Sequence, residues 1–134
     1  MSAAGDEQAR VIGGDRGVVA ASAGRAGGPI VFCATDGANP AELYAVDADG
    51  GNERRLTDLN RAWLDRKAVS APERLRFVGG GLDQHQEEID GWLIRPHNVP
   101  EGTKYPLVLM IHGGPHGQYG SAFFHEFQFL AARG

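Results

Sequence analysis

Two glycines and a proline stand where an apolar run ends: "LVLMIH", Leu107 to His112, is followed directly by Gly113-Gly114-Pro115-His116. Glycines at a strand end let the backbone bend sharply and present N–H groups with no side chain in the way, and proline stiffens the turn by fixing its own φ. The chemistry that such a turn serves is stabilisation of a developing oxyanion. A preorganised N–H aimed at that charge is worth about 3 kcal/mol in a transition state. In α/β-hydrolases one such donor comes from the loop after the third strand, in motifs of the His-Gly-Gly type.

Other reactive side chains are weaker candidates. His112 and His116 have the i, i+4 spacing of a helical zinc pair, but the two glycines and Pro115 between them forbid a helix, so no metal site is expected. His116 and His125 read as exposed or helix-packed imidazoles, and Glu87 and Glu88 as a solvated loop rather than an acid/base pair. Cys33, the single cysteine, has no intrachain disulfide partner and lies in the apolar run "PIVFCATD", where a buried structural role is the default.

The elements that must position the turn differ between the two halves of the chain. The first half repeats short β-like runs: "RGVVAASA", "PIVFCATD", "AELYAVD" and "ERRLTDL", separated by Gly, Asn and Asp breaks. A spacing of roughly ten residues with such breaks predicts consecutive antiparallel strands, about four of them, the content of one propeller blade. A lone blade leaves an apolar face uncovered, because blades are stabilised by stacking on their neighbours. The alternative is a small antiparallel domain packed on the second half.

The grammar changes between Asn60 and Pro72, which places a boundary near residue 70: residues 1–70 form the blade-like part and 71–134 a second part. In the second part "PERLRFVGGG" and "EEIDGWLIRP" predict two strands around the turn "GGGLDQHQ", with Asp90-Gly91 permitting a tight bend or bulge. "LVLMIH", apolar on both faces, predicts a central strand of a parallel or mixed sheet covered by helices. In "SAFFHEFQFLAARG", Phe123, Phe127, Leu130 and Ala131 share one helical face, with Ser121 as N-cap and Gly134 as the C′ residue. Strand, glycine turn and helix make an α/β unit.

Composition narrows the partners. With a formal net charge of −4 and basic residues scattered singly or in short groups, no face carries the cationic surplus that phosphate binding requires, so nucleic acid is not an expected partner. "MSAAGDEQAR" lacks the features of a signal peptide and no apolar run approaches the ~20 residues of a membrane span, so a cytoplasmic location is expected.

Taken together, "IDGWLIRP", "YPLVLMIHGGPHGQYG" and "FHEFQFLAARG" resemble the opening of the catalytic domain in the prolyl oligopeptidase family of serine peptidases, in its acylaminoacyl-peptidase-like branch. "AELYAVDADGGNERRLTDLN" is similar to the last propeller blade of the same proteins. The resemblance implies a β-propeller capping an α/β-hydrolase domain, of which this chain is the end of one and the N-terminal portion of the other. It implies hydrolysis of short peptides, often with release of an N-terminal acylated residue or dipeptide, by a Ser-Asp-His triad, with no cofactor. Residue by residue, only the oxyanion loop carries over: Gly114 as first choice for the N–H donor, Gly113 and Pro115 shaping the turn, His112 anchoring the strand end.

Triad members of this fold follow the oxyanion loop in the order Ser, Asp, His. They are therefore expected beyond Gly134, and the chain alone is expected to be inert. Ser22 in "AASAG" is a near match to the Gly-x-Ser-x-Gly elbow, but it precedes the loop and lies in the β-rich half; Ser121 reads as a helix cap and Ser70 as a linker residue. Two other readings stay open: a parent esterase, since the loop serves any acyl transfer, and a non-catalytic binding module.

Overall fold

A computed structural model describes residues 9–80, 86–100 and 102–134. The first four strands are β1 (Gly17–Ala23), β2 (Ile30–Thr35), β3 (Glu42–Val46) and β4 (Arg54–Arg55), joined in the order β1-β2-β3-β4 with every neighbouring pair antiparallel. Burial does not follow strict alternation in this sheet, since Ala34 and Thr35 are both buried in β2 and Ala45 and Val46 both in β3. Phe32, Ala34 and Val46 form the core, with Val11, Ile12, Ile30 and Tyr44 packed against it. Phe32 and Tyr44, directly paired across β2 and β3, stack at 5.5 Å, and the Arg16 guanidinium lies over both rings while its two terminal nitrogens grip Glu53 at 2.7 and 2.6 Å. That grip raises the Arg16 pKa and lowers that of Glu53.

The expected linker begins with one helical turn, α1 (Arg61–Leu64), behind Asn60. It is held by Glu42, the first residue of β3, whose carboxylate is buried and accepts the Asn60 N–H at 2.9 Å, the Asn60 side-chain amide at 3.0 Å and the Thr57 hydroxyl. Arg55 adds an ion pair at 3.2 Å. Burial alone would raise this carboxyl's pKa, but the hydrogen bonds from Thr57 and from the Leu59 and Asn60 region outweigh it and bring it down to about 2.

Next come β5 (Glu73–Gly80) and β6 (Gln86–Leu93), an antiparallel pair as expected; residues 81–85 of the anticipated turn lie outside the described residues. Asp90 and Gly91 form no bulge, since the register runs unbroken through Arg76–Asp90, Leu75–Gly91 and Arg74–Trp92. A Cβ on Gly91 would make only an ordinary contact with the Phe77 ring, at 3.5 Å. The register shift in the structure falls in β1, between Val18 and Ala20. Alternation puts Arg74, Arg76, Glu88 and Asp90 on one face of the pair, where Arg74 holds Asp90 at 2.6 Å and Arg76 bridges to both carboxylates.

The largest departure from expectation concerns residues 107–112. They form no ladder with any described residue, so the central strand of a mixed sheet is not built, and both sheets are antiparallel. Leu107, Leu109 and Ile111 are 79, 77 and 81% exposed. A strand apolar on both faces needs neighbours on both edges, and β5 and β6 pair only with each other.

α2 (His125–Ala131) starts later than the pattern predicts: Phe124 is its N-cap, and the Ser121 hydroxyl donates to Asp15 rather than capping the helix. Ala132 is the C-cap, which puts Gly134, at φ +92°, one residue beyond C′. The helix is docked on the first sheet through Gln128. Its buried amide donates to the Gly37 carbonyl at 3.1 Å and the Ser70 carbonyl at 2.8 Å, and its Oε1 accepts the Ser70 N–H at 2.9 Å. The Phe123 N–H to Thr35 Oγ1 bond, 3.0 Å, and the edge contact of Phe123 with Trp63 reinforce that seam. Gln128→Ala would strand two carbonyls and an N–H, and the expected cost is about 2 kcal/mol. Faster amide exchange at Ser70, with β2 protection retained, is the measurement that checks it.

Candidate functional site

His112 to Tyr119 make an exposed loop between the unpaired apolar run and α2. Gly113 and Gly114 have open space where a Cβ would stand, and neither adopts a positive φ. The need for glycine there is therefore not conformational, contrary to the sequence argument; their contribution is an unobstructed backbone face. Gly117, which the sequence argument passed over, is the position the loop geometry requires: a Cβ on it would lie 2.8 Å from the Gly113 carbonyl oxygen. Such crowding by a backbone atom leaves nothing to give way but the loop itself.

No described residue accepts a hydrogen bond from the Gly114 N–H. His112 Nδ1 lies 3.0 Å from the Gly113 carbonyl, a geometry in which the Nδ1-protonated tautomer donates to that oxygen. The imidazole also meets the Tyr119 ring edge-on, with centroids 5.7 Å apart. Pro115 follows Gly114 through a cis peptide bond. Chemically, the loop offers a free backbone donor to an approaching oxygen.

The remaining candidates lie elsewhere. Ser22 sits in β1 opposite Val31, in a regular ladder. The Ser70 hydroxyl donates to the Arg95 carbonyl at 2.7 Å and stands 3.3 to 3.4 Å from both ring nitrogens of His97, a side-on approach that aligns neither nitrogen as a base. His125 begins α2 with its ring tilted against Trp63, and His116 is exposed. Glu87 and Glu88 lie in β6 rather than in a loop. Cys33 is a free thiol of intermediate burial in β2. No group of three or more His, Cys, Asp or Glu among the described residues converges as a metal site. No helix among them is long and apolar enough to cross a membrane. A shallow depression of about 540 Å³ beside β1 includes Asp15, Asp36 and Glu53, but Ser121, Asn39 and Arg16 already engage those carboxylates.

No family model matches the chain. A stretch of 95 residues is 41% identical to the uncharacterized peptidase YuxL of Bacillus subtilis, covering 71% of this chain and 14% of that protein. Over 81 residues the chain is 42% identical to dipeptidyl-peptidase 5 of Aspergillus fumigatus, covering 60% of this chain and 11% of the relative. Among solved structures, an acylaminoacyl peptidase in complex with Z-Gly-Gly-Phe-chloromethyl ketone superposes with a TM-score of 0.75 at 31% identity, over 91% of this chain and 18% of that one. The acylaminoacyl peptidase of Pyrococcus horikoshii gives 0.73, also at 31% identity and with the same coverage.

The fold and the relatives together define the class: this is peptidase sequence with part of a peptidase fold. Within that class the relatives and the structural neighbours support a fragment of the prolyl oligopeptidase family of serine peptidases. It spans only a small part of the length of the relatives it matches.

Proposed function

We propose that this chain joins the last blade of a β-propeller, residues 1–70, to the first part of an α/β-hydrolase domain, residues 71–134, in a longer serine peptidase. Its share in the chemistry is the oxyanion loop. The Gly114 N–H receives the charge that develops on the scissile carbonyl oxygen, Gly113 leaves the backbone face beside it open, Pro115 shapes the turn, and His112 holds its entry. The Ser-Asp-His triad comes from elsewhere in the longer protein, and the substrates are short peptides, including those with an acylated N-terminus.

The observation that carries this reading is the Gly114 N–H itself, without an acceptor among the described residues and unobstructed on its Cβ side. The exposed apolar run before it supports a larger assembly, because three large aliphatic side chains left in water call for covering neighbours. The peptidyl inhibitor held by one structural relative supports a peptide as substrate.

Turnover tests the reading. The full-length peptidase carrying this segment is expected to cleave an acyl-alanyl anilide and to label with a fluorophosphonate, while the 134-residue chain does neither. Stoichiometric labelling of a serine within the chain, or hydrolysis of esters without any peptide turnover, would sink it.

A further inference from the structure

What holds the glycine loop in place is not its backbone. Residues 111–120 belong to no ladder and no helix, and the contacts that reach the loop are made by side chains. They converge on Tyr119. Its ring meets His112 at 5.7 Å with planes at 87°, Phe127 at 5.1 Å and 77°, and Phe124 at 5.6 Å and 71°. Edge-to-face arrangements at such separations set the positive edge of one ring against the negative face of the next, so each contact fixes orientation as well as distance. Phe124 and Phe127 in turn lie 4.6 Å apart, which closes the cluster on the start of α2.

That cluster stands next to the anchor of the helix. Gln128, adjacent to Phe127, is bonded to Gly37 and Ser70 in the body of the chain. Fixed backbone, α2, Phe127, Tyr119, His112 and Gly113 therefore form one continuous path. The loop passes so close to itself that a Cβ on Gly117 would stand 2.8 Å from the Gly113 carbonyl oxygen, which leaves the stretch between His112 and Tyr119 little freedom and ties the position of the glycines to that of the Tyr119 ring.

We infer that Tyr119 is the positioning residue of the glycine loop, setting the direction of the Gly114 N–H through His112; this rests on the oxyanion reading proposed above. The part of the side chain that acts is the ring, since no described residue is hydrogen-bonded to its hydroxyl. A displacement of about 1 Å at a reacting centre is enough to lower turnover by about 100-fold.

Steady-state kinetics of the full-length peptidase on a peptide anilide tests this. Tyr119→Ala is expected to lower kcat by about 10- to 100-fold with KM changed by less than about threefold, and Tyr119→Phe to rescue it. Tyr119→Leu keeps an apolar side chain against Phe127 without the ring edge, and is expected to show the same kcat loss in a protein of unaltered thermal midpoint. In a Gly114→Pro background, which removes the donor, Tyr119→Ala should cost nothing further, because the two act on one interaction. Losses that multiply, or a Tyr119→Leu enzyme with full kcat, overturn the positioning role while leaving the oxyanion reading intact. A Gly114→Pro enzyme with full kcat overturns that reading, and the inference with it.

Discussion

Gly114→Pro is expected to reduce kcat of the full-length peptidase by about 100- to 1,000-fold, the loss that follows removal of one oxyanion donor. Proline has no N–H, so the substitution deletes the proposed donor and leaves the preceding carbonyl in place. Gly114→Ala is the necessary companion. It keeps the N–H, its Cβ would meet no heavy atom within 4 Å in this chain, and φ at this position is not in the left-handed region. Its kcat is expected to fall by less than about tenfold. A loss seen with proline but not with alanine assigns the effect to the donor. Equal losses in both variants would instead say that the space beside Gly114 is needed by substrate, and Gly114 would then be a steric element of the site. Single-turnover acylation is the step to follow, because the donor acts on the tetrahedral intermediate and not on substrate binding.

The second large effect concerns stability. Glu42→Ala is expected to cost about 3 kcal/mol, since it leaves the Thr57 hydroxyl and the Asn60 N–H and amide without the acceptor that satisfies them. Glu42→Gln is expected to cost less. It retains one oxygen for Asn60 and sets an amide against Thr57, whose hydroxyl can rotate to accept. The pH dependence has a definite sign. The Glu42 carboxyl lies near 4.5 in an unfolded chain and about 2 in the folded one, so its contribution is fully present above about pH 4.5 and is lost progressively as the pH falls towards 2. Amide exchange at Asn60 and along β3, followed from pH 7 to pH 3 and corrected for intrinsic rates, reads this locally. Protection should fall with acid in the wild-type chain and be flatter in Glu42→Gln. An identical acid profile in both would assign the acid sensitivity to other carboxylates, Glu53 and Asp90 among them, which arginines also hold below their ordinary values.

The sequence by itself determined what depends on neighbours along the chain. Strands β1 to β4 follow from short β-like runs punctuated by Gly, Asn and Asp, although β4 is only Arg54–Arg55, and β5 and β6 from runs of the same kind, because strand and turn preferences are local properties. Of the expected helical face Phe123, Phe127, Leu130 and Ala131, only part was legible: Phe123 precedes α2 and Leu130 is exposed, while Phe127 and Ala131 lie in the helix and Ala131 is buried. The peptidase family was legible because the His-Gly-Gly-Pro loop follows an apolar run of strand length.

Only the tertiary structure decided the contacts made across long separations. Nothing in "AELYAV" announces a buried charge at Glu42; it is the fold that brings Thr57 and Asn60 around its carboxylate. Ser121 matched a helix cap by type and position, yet its hydroxyl goes to Asp15, 106 residues away. Gln128 carries no mark in the sequence that separates it from other polar helix residues, but its amide bonds α2 to the Gly37 and Ser70 carbonyls. At the loop, counting glycines pointed to Gly113 and Gly114 as conformational necessities, whereas the backbone assigns the steric requirement to Gly117. The run 107–112 shows the same limit from the other side. Its apolar residues specify burial between sheet neighbours, but a strand cannot supply its own neighbours, and without them these side chains stay exposed.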